Sequence, residues 1–376
     1  MRGELSPSEK TMLESVRRFA RERIEPVAAE IDRTAAFPAE TVGRMAELGV
    51  FGLLIPEAYG GVFTSHLLYY SVVRELAGHC ASHALTLLSH CLCAHLVATF
   101  GSEEQKRAHL PRLASGETLG AVCMTEPEAG SDLAAIRTFA QERDNVYVVQ
   151  GGKHFITNGG RADLLVVLAC VSRQKTPFNQ SLFLMEKSTE GVRIGRCEMK
   201  MGCRGADTRE LFFDEVEVPA TNLLGRKGQG MLQIAHAMET SRTAVASLSL
   251  GLAERAFRHA RDYSKQRKQF GQTIGSFDAI RFYLAETATD MECARLLIQE
   301  AAELQRKGKR IVRQSSMAKL FATEMAFKAA SRALQIHGGY GYMQSFPLER
   351  IFRDARLFTI VEGTNEIQRK IIAGHL

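Results

Sequence analysis

The sequence predicts an α+β fold in three successive domains: helical over 1–117, β over 118–222 and helical again over 223–376. Three observations carry this. A capping box with proline at the first helical position, Ser6-Pro7-Ser8-Glu9, opens a helix near the start. Short β-branched and aromatic runs, separated by turn residues, fill the middle. After about residue 230 apolar residues again step by three or four.

Within the first domain, Arg74 to Phe100 is one long, nearly continuous apolar-rich segment, which reads as a helix buried on most sides. In the middle domain, Val146 to Val149, then Gln150-Gly151-Gly152, then His154 to Thr157 reads as a hairpin. Further strands are expected at Leu164 to Val171, Ser181 to Met185, Val192 to Ile194 and Leu211 to Val218, as in a small barrel or sandwich. Asn222 to Gly230 is a Gly-rich linker. Beyond it, Phe277, Ile280, Leu284, Ala288, Met291, Ala294 and Ile298 mark one apolar helix face.

Composition narrows the class of protein. The 376 residues are 45% hydrophobic and 24% charged, ordinary for a globular chain. No run of 18 uncharged apolar residues occurs, so no membrane span is expected. Met1 to Lys10 lacks the apolar region of a secretory signal, and an intracellular chain is expected, cytoplasmic or, as the second choice, a mature mitochondrial matrix protein. The 8 cysteines form no disulfide framework and read as buried thiols. A charge of +6 suits a polyanionic ligand without indicating nucleic acid.

Four segments carry chemistry. Val122 to Asp132 (VCMTEPEAGSD) ends a strand in a turn whose Thr125 and Ser131 offer hydroxyls and whose Gly130 lets a backbone amide approach a ligand. Gly152 to Gly160 follows, with Phe155 and Thr157 on one strand face and Ile156 on the other. Arg267-Lys268-Gln269-Phe270-Gly271 closes a helix. The last runs from Gln335-Ile336-His337-Gly338-Gly339 through Arg353-Asp354-Ala355 to Glu362-Gly363-Thr364-Asn365-Glu366.

Together and in this order, these segments resemble the acyl-CoA dehydrogenase family over essentially the whole chain. The resemblance implies a C-terminal four-helix bundle, a bound FAD and a homo-oligomer, a tetramer built as a dimer of dimers. It implies FAD contacts from Met124, Thr125, Gly130, Ser131, Phe155, Ile156, Thr157, Thr364 and Glu366. Arg267, Phe270, Gln335, Gly338 and Gly339 would reach the flavin of a neighbouring subunit. Glu362 would be the base, and Ser131, Glu239, Arg242 and Gly363 would contact the substrate. An electron-transfer flavoprotein would take the electrons. Three departures stand out: Phe155 where many members carry tryptophan, Asp278 where glutamine is common, and Val361 where relatives often have tyrosine. Asp278 either weakens a cofactor contact or caps its helix.

The chemistry fits these residue types. A carboxylate in a desolvated pocket has its pKa raised toward the operating pH and can take a weakly acidic Cα proton. The enolate then needs donors at the carbonyl oxygen, and the hydride needs a cofactor. A subset of the family places its base immediately before an arginine matching Arg242; that position is Ser241 here, so Glu362 stands. Read without the family, Glu239 and Arg242 are equally an i,i+3 salt bridge. Two other functions are set beside the first: a dehydrogenase for acyl groups on acyl-carrier protein, and a non-catalytic or nucleic-acid-binding flavoprotein of the same fold.

Other signals are discounted. His79 and His83 share a helix face, but His90, His95, Cys91 and Cys93 do not continue a ligand pattern, so no metal is expected. Gly225 to Gly230 matches no phosphate-binding loop. The basic run from Arg255 to Lys268 reads as a solvated face, partly reaching cofactor or CoA phosphates, so no nucleic acid is expected.

Overall fold

A computed structural model describes residues 4–174 and 179–376. The chain enters through α1 (Pro7–Phe19), whose Ser6–Glu9 capping box forms in both directions. Next come α2 (Ala28–Thr34), α3 (Ala39–Glu47), α4 (His66–His79), α5 (Ala81–Phe100) and α6 (Glu103–Ser115). The long apolar segment from Arg74 is therefore not one helix. Cys80 adopts an extended conformation, with φ −157° and ψ 111°, and ends α4 before α5 begins. The two then pack on each other and on the C-terminal helices, and α5 is buried along nearly its whole length.

By length and hydropathy, a window mean of 1.4, α5 is apolar enough to cross a membrane. However, 78% of that window is buried inside the protein, where α5 serves as a core helix.

The middle domain holds β1 (Gly120–Cys123), β2 (Phe139–Arg143), β3 (Val146–Thr157), β4 (Leu164–Cys170), β5 (Gln180–Glu186), β6 (Val192–Cys197), β7 (Thr208–Pro219) and β8 (Leu223–Leu224). Sheet order is β6-β7-β3-β2-β4-β5-β8, with β1 parallel on β4. Alternate residues of β4 serve different cores. Leu165, Val167 and Ala169 join Phe183, Leu211 and Phe213 inside the β domain, while Leu164, Val166 and Leu168 pack toward α5, α6 and the start of the next helix. Both faces of this strand are buried, which is why its sequence is a continuous apolar run.

The hairpin expected within 146–157 is also corrected. These residues form the single strand β3, paired along its length with β7, with register shifts between Val149 and Gly151 and between Lys153 and Ile156. Gly151 does not reverse the chain. It takes φ +147°, and a Cβ there would lie 2.7 Å from the Thr138 backbone, so glycine fits where other residues would clash. The real hairpin is β2–β3, closed between Arg143 and Val146.

The C-terminal domain is built on α7 (Gly230–Gln266), with the small ribbon β9 (Lys268–Gln269) and β10 (Gln272–Thr273), then α8 (Asp278–Arg306), α9 (Val312–His337), α10 (Leu348–Phe358) and α11 (Asn365–Ala373). Helices α7, α8 and α9 pack on one another, and α10 packs on α7 and α9. The face of α8 runs as expected except at Ala288, which is exposed while neighbouring Thr287 is buried. Part of the 222–230 linker is strand β8 on β5. Because α4 also packs on α7, the N-terminal and C-terminal domains share one core.

Candidate active site

The turn between α10 and α11 carries Glu362. Thr364 caps α11, its hydroxyl accepting from the Ile367 N–H. Immediately before it, Glu362 and Gly363 have φ of +57° and +84°. A left-handed conformation is costly for a residue with a Cβ and persists only where neighbours enforce it. Two side chains do so here. Gln368 donates to the carbonyls of Glu362 (3.2 Å) and Gly363 (2.8 Å), and Lys319 from α9 donates to Gly363 at 2.9 Å. Glycine is favoured at 363 by its φ of +84°, and a Cβ there would also lie 2.8 Å from Gln368 Nε2, so the glutamine would have to shift.

The turn aims the Glu362 carboxylate at α7, where the Ser241 hydroxyl donates to it at 2.9 Å. Burial pushes its pKa above the ordinary carboxylate value, against the lowering effects of that hydrogen bond and of the Arg242 and Lys319 charges. The backbone N–H of Glu362 makes no hydrogen bond among the described residues. A proton acceptor and a free donor thus sit on one residue. Sequence reasoning considered Ser241 only as an absent base; its role as donor depends on a contact with a residue 121 positions away.

Arg242 is buried and its Nε has no hydrogen-bond partner among the described residues. The i,i+3 salt bridge with Glu239 is not made. Glu239 instead pairs with Arg310 and accepts the Ile311 N–H at 2.6 Å, tying α7 to the start of α9.

On the β side, Met124 and Thr125 follow β1 at half-buried positions, and Gly130 and Ser131 are exposed in the turn beyond. A buried ion pair holds this loop. Lys153 donates to Glu126 at 2.7 Å and to the Met124 carbonyl at 3.0 Å, while Glu126 also accepts the backbone N–H groups of Arg137 and Thr138. Two residues along β3, Phe155 sits in the second bulge with φ +58° and is 57% exposed, its ring stacked on His154. Ile156 turns inward and is buried, and Thr157 is half-buried. Glu366 lies exposed in the first turn of α11.

The remaining predicted residues gather elsewhere. Arg267, Gln335, Gly338 and Gly339 line a cleft of about 520 Å³ that includes none of residues 124–131 or 155–157. Phe270 stands 93% exposed with φ +51°. Asp278 sits in the first turn of α8, paired with Arg281.

Among the described residues, His154, Glu198 and Glu210 have spacing that suits a metal, but both carboxylates are already paired with Arg196 and with the His154 ring. His83 and His90 each make one buried hydrogen bond, to Thr41 and from the Gly120 N–H. All 8 cysteines are free and 6 are buried.

A strained turn thus presents a carboxylate with a raised pKa beside an unbonded amide. Comparison with known proteins supplies the rest. The models for the N-terminal, middle and C-terminal domains of acyl-CoA dehydrogenase match residues 6–117, 121–216 and 228–376. An acyl-CoA dehydrogenase of Bacillus subtilis is 42% identical, over 97% of each chain. A short-chain-specific acyl-CoA dehydrogenase of Clostridium acetobutylicum is 39% identical, over 99% of this chain and 98% of that one. The solved structure of butyryl-CoA dehydrogenase from Megasphaera elsdenii superposes with a TM-score of 0.97 at 36% identity, covering 100% and 99% of the two chains.

The chain belongs to the acyl-CoA dehydrogenase family, oxidoreductases that dehydrogenate acyl-CoA thioesters with FAD as cofactor. Its residues fit that cofactor. Phe155 presents a ring to solvent, and a Cβ added at Gly130, Gly338 or Gly339 would meet nothing within 4 Å, so backbone is open to close approach there.

Proposed function

We propose that Glu362 removes the Cα proton of an acyl-CoA thioester and that the product is the trans-2-enoyl-CoA. One observation carries the reading: the carboxylate is held by Ser241 in a site whose burial raises its pKa, beside its own unbonded N–H. A base poised nearer neutrality than a free carboxylate is matched to a weak carbon acid. The free N–H is a donor for the oxygen charge that develops as the proton leaves. FAD, when bound, supplies the acceptor for the Cβ hydride, which no side chain can be.

The other residues bind and orient. Gly363 leaves room for the thioester, the unpartnered Arg242 Nε is a buried donor toward the substrate's arm, and Ser131 is assigned to the substrate as well. Glu239 acts on that arm chiefly by fixing Arg310 and the α7–α9 junction. Met124, Thr125, Gly130, Ser131, Phe155, Ile156, Thr157, Thr364 and Glu366 are assigned to the flavin held by their own chain. Arg267, Phe270, Gln335, Gly338 and Gly339 are assigned to a neighbour's flavin, which makes the enzyme a homo-oligomer, a dimer of dimers. The separate cleft lined by four of these five residues supports that division. An electron-transfer flavoprotein receives the electrons, and the free thiols suit the reducing cytoplasm.

Anaerobic addition of acyl-CoAs of graded length to the FAD-loaded protein tests the function. Rapid bleaching of the flavin by an acyl-CoA is expected. Bleaching only by the same acyl group on acyl-carrier protein would transfer the function to that carrier, and bleaching by neither would remove the enzymatic reading.

A further inference from the structure

Lys319 is a lysine with no exposed surface in the middle of α9. Its ammonium donates to the Gly363 carbonyl and to Asn365 Oδ1, both at 2.9 Å. Asn365 Oδ1 also accepts the Thr323 hydroxyl at 3.1 Å, so this corner of α9 and α11 is tied together around the Glu362–Gly363 turn. A buried ammonium is expensive where neutral donors would serve. Gln368 already shows that an amide can hold the Gly363 carbonyl, at 2.8 Å. Holding the turn therefore does not by itself explain a charge at this point.

The groups around the pair show what the charge acts on. Glu362 is faced by Tyr69 from α4, Ser241 and Arg242 from α7 and Lys319 from α9. Lys319 in turn feels Glu362 most strongly among carboxylates, then Glu366 of α11 and Glu324 of its own helix, with Arg242 opposing. Burial lowers the Lys319 pKa to about 7, with the Glu362 charge acting to hold it up.

We propose that Lys319 is a positioning residue of the active site: it fixes the left-handed Glu362–Gly363 turn and sets a positive charge beside that turn, keeping the Glu362 base ionised. The proposal rests on Glu362 being the base. Its consequence is a pH dependence. Below about pH 7 the charged lysine favours ionised Glu362. Above that pH the lysine is neutral and that help is gone.

The test compares wild type with Lys319→Gln, which keeps a donor without charge, and Lys319→Met, which keeps neither. Flavin reduction by butanoyl-CoA is followed in single turnover from pH 5.5 to 9. The Glu362 carboxylate is titrated directly by carbon-13 NMR in protein labelled at glutamate, with Glu362→Gln identifying the signal. In both variants the Glu362 titration should move up by about one pH unit, with the rate down as much as about tenfold at low pH; Lys319→Gln should converge on wild type at high pH, while Lys319→Met, which also removes the donor to the turn, should keep part of its loss there. If either variant fails to fold, the other carries the test, and FAD content with thermal unfolding identifies which one. An unmoved Glu362 titration, or a rate loss equal at every pH, would overturn the proposal. Normal turnover by Glu362→Gln would instead overturn the base assignment, and would leave the titration result standing.

Discussion

Glu362 and Glu126 are carboxylates enclosed by the same protein, and their surroundings push them in opposite directions. Around Glu126, a lysine and two backbone N–H groups outweigh burial and hold its pKa below the ordinary value. Around Glu362, burial outweighs one hydroxyl and two cations and its pKa rises. The first is held as a charge for structure, the second is poised for a proton. Glu126→Gln should therefore leave the Lys153 ammonium buried without a counter-charge and cost about 3–5 kcal/mol in urea unfolding. Because the folded Glu126 pKa is lowered, its stabilisation is present above its unfolded pKa and is lost as pH falls through the folded one. The mutational loss should therefore shrink in strong acid, and an equal loss at pH 7 and pH 3 would contradict this account. Glu362 was legible through its motif. Lys319 and Ser241 were not, because each acquires its role from a partner more than 40 positions away, as with the 44-residue separation of Lys319 and Gly363.

At the scale of elements, composition and period placed helices and strands well and misread the joints. The strand text around Gly151 contains the residues of a turn, yet Gly151 serves a close approach to Thr138 inside one continuous strand. Glycine at a bulge and glycine at a hairpin look alike until the neighbouring strand is known. Gly151→Ala is expected to destabilise the protein by at least ~1–3 kcal/mol, the range for overpacking, since the clash is with backbone that cannot swing aside. Gly130→Ala, where a Cβ meets nothing, should leave apoprotein unfolding nearly unchanged and lower FAD affinity instead. Equal unfolding midpoints for Gly151→Ala and wild type would show that β3 is held differently. The break at Cys80 had no proline signal and is set by the packing of α4 and α5 around it.

The whole molecule is stitched through α10. Asp354 is fully buried and accepts the Cys203 N–H from the middle domain at 2.5 Å, while Arg353 reaches Asp32 of α2, Glu349 and the Met201 carbonyl. Burial raises the Asp354 pKa from 3.8 to about 6. A folded pKa above the unfolded one means that the folded state binds the extra proton. Stability from this group is thus fully present below about pH 4 and declines as pH rises to about 6, by about 3 kcal/mol. Asp354→Asn should remove that decline, so wild type loses stability relative to the variant between pH 4 and 6; parallel curves would rule it out. At the same scale, Phe155, Phe270, Phe282 and Tyr342 are exposed rings on a single chain. Light scattering should find an oligomer, and a monomer that retains FAD tightly would contradict the shared site. The order of three domains was readable because each has its own hydrophobic period; how they share a core along α4, α5 and α7 was not.

The most direct test of the account is Glu362→Gln. The amide keeps the shape of the side chain and can still meet Ser241, but it takes no proton. Single-turnover flavin reduction by acyl-CoA should fall by at least ~10²–10⁴, the range for removing a general base, with FAD content and acyl-CoA binding nearly unchanged. In wild type the same rate should fall on the acid side, as protonation of a carboxylate with a raised pKa removes the base. Turnover by Glu362→Gln within a few-fold of wild type would contradict the assignment of the base.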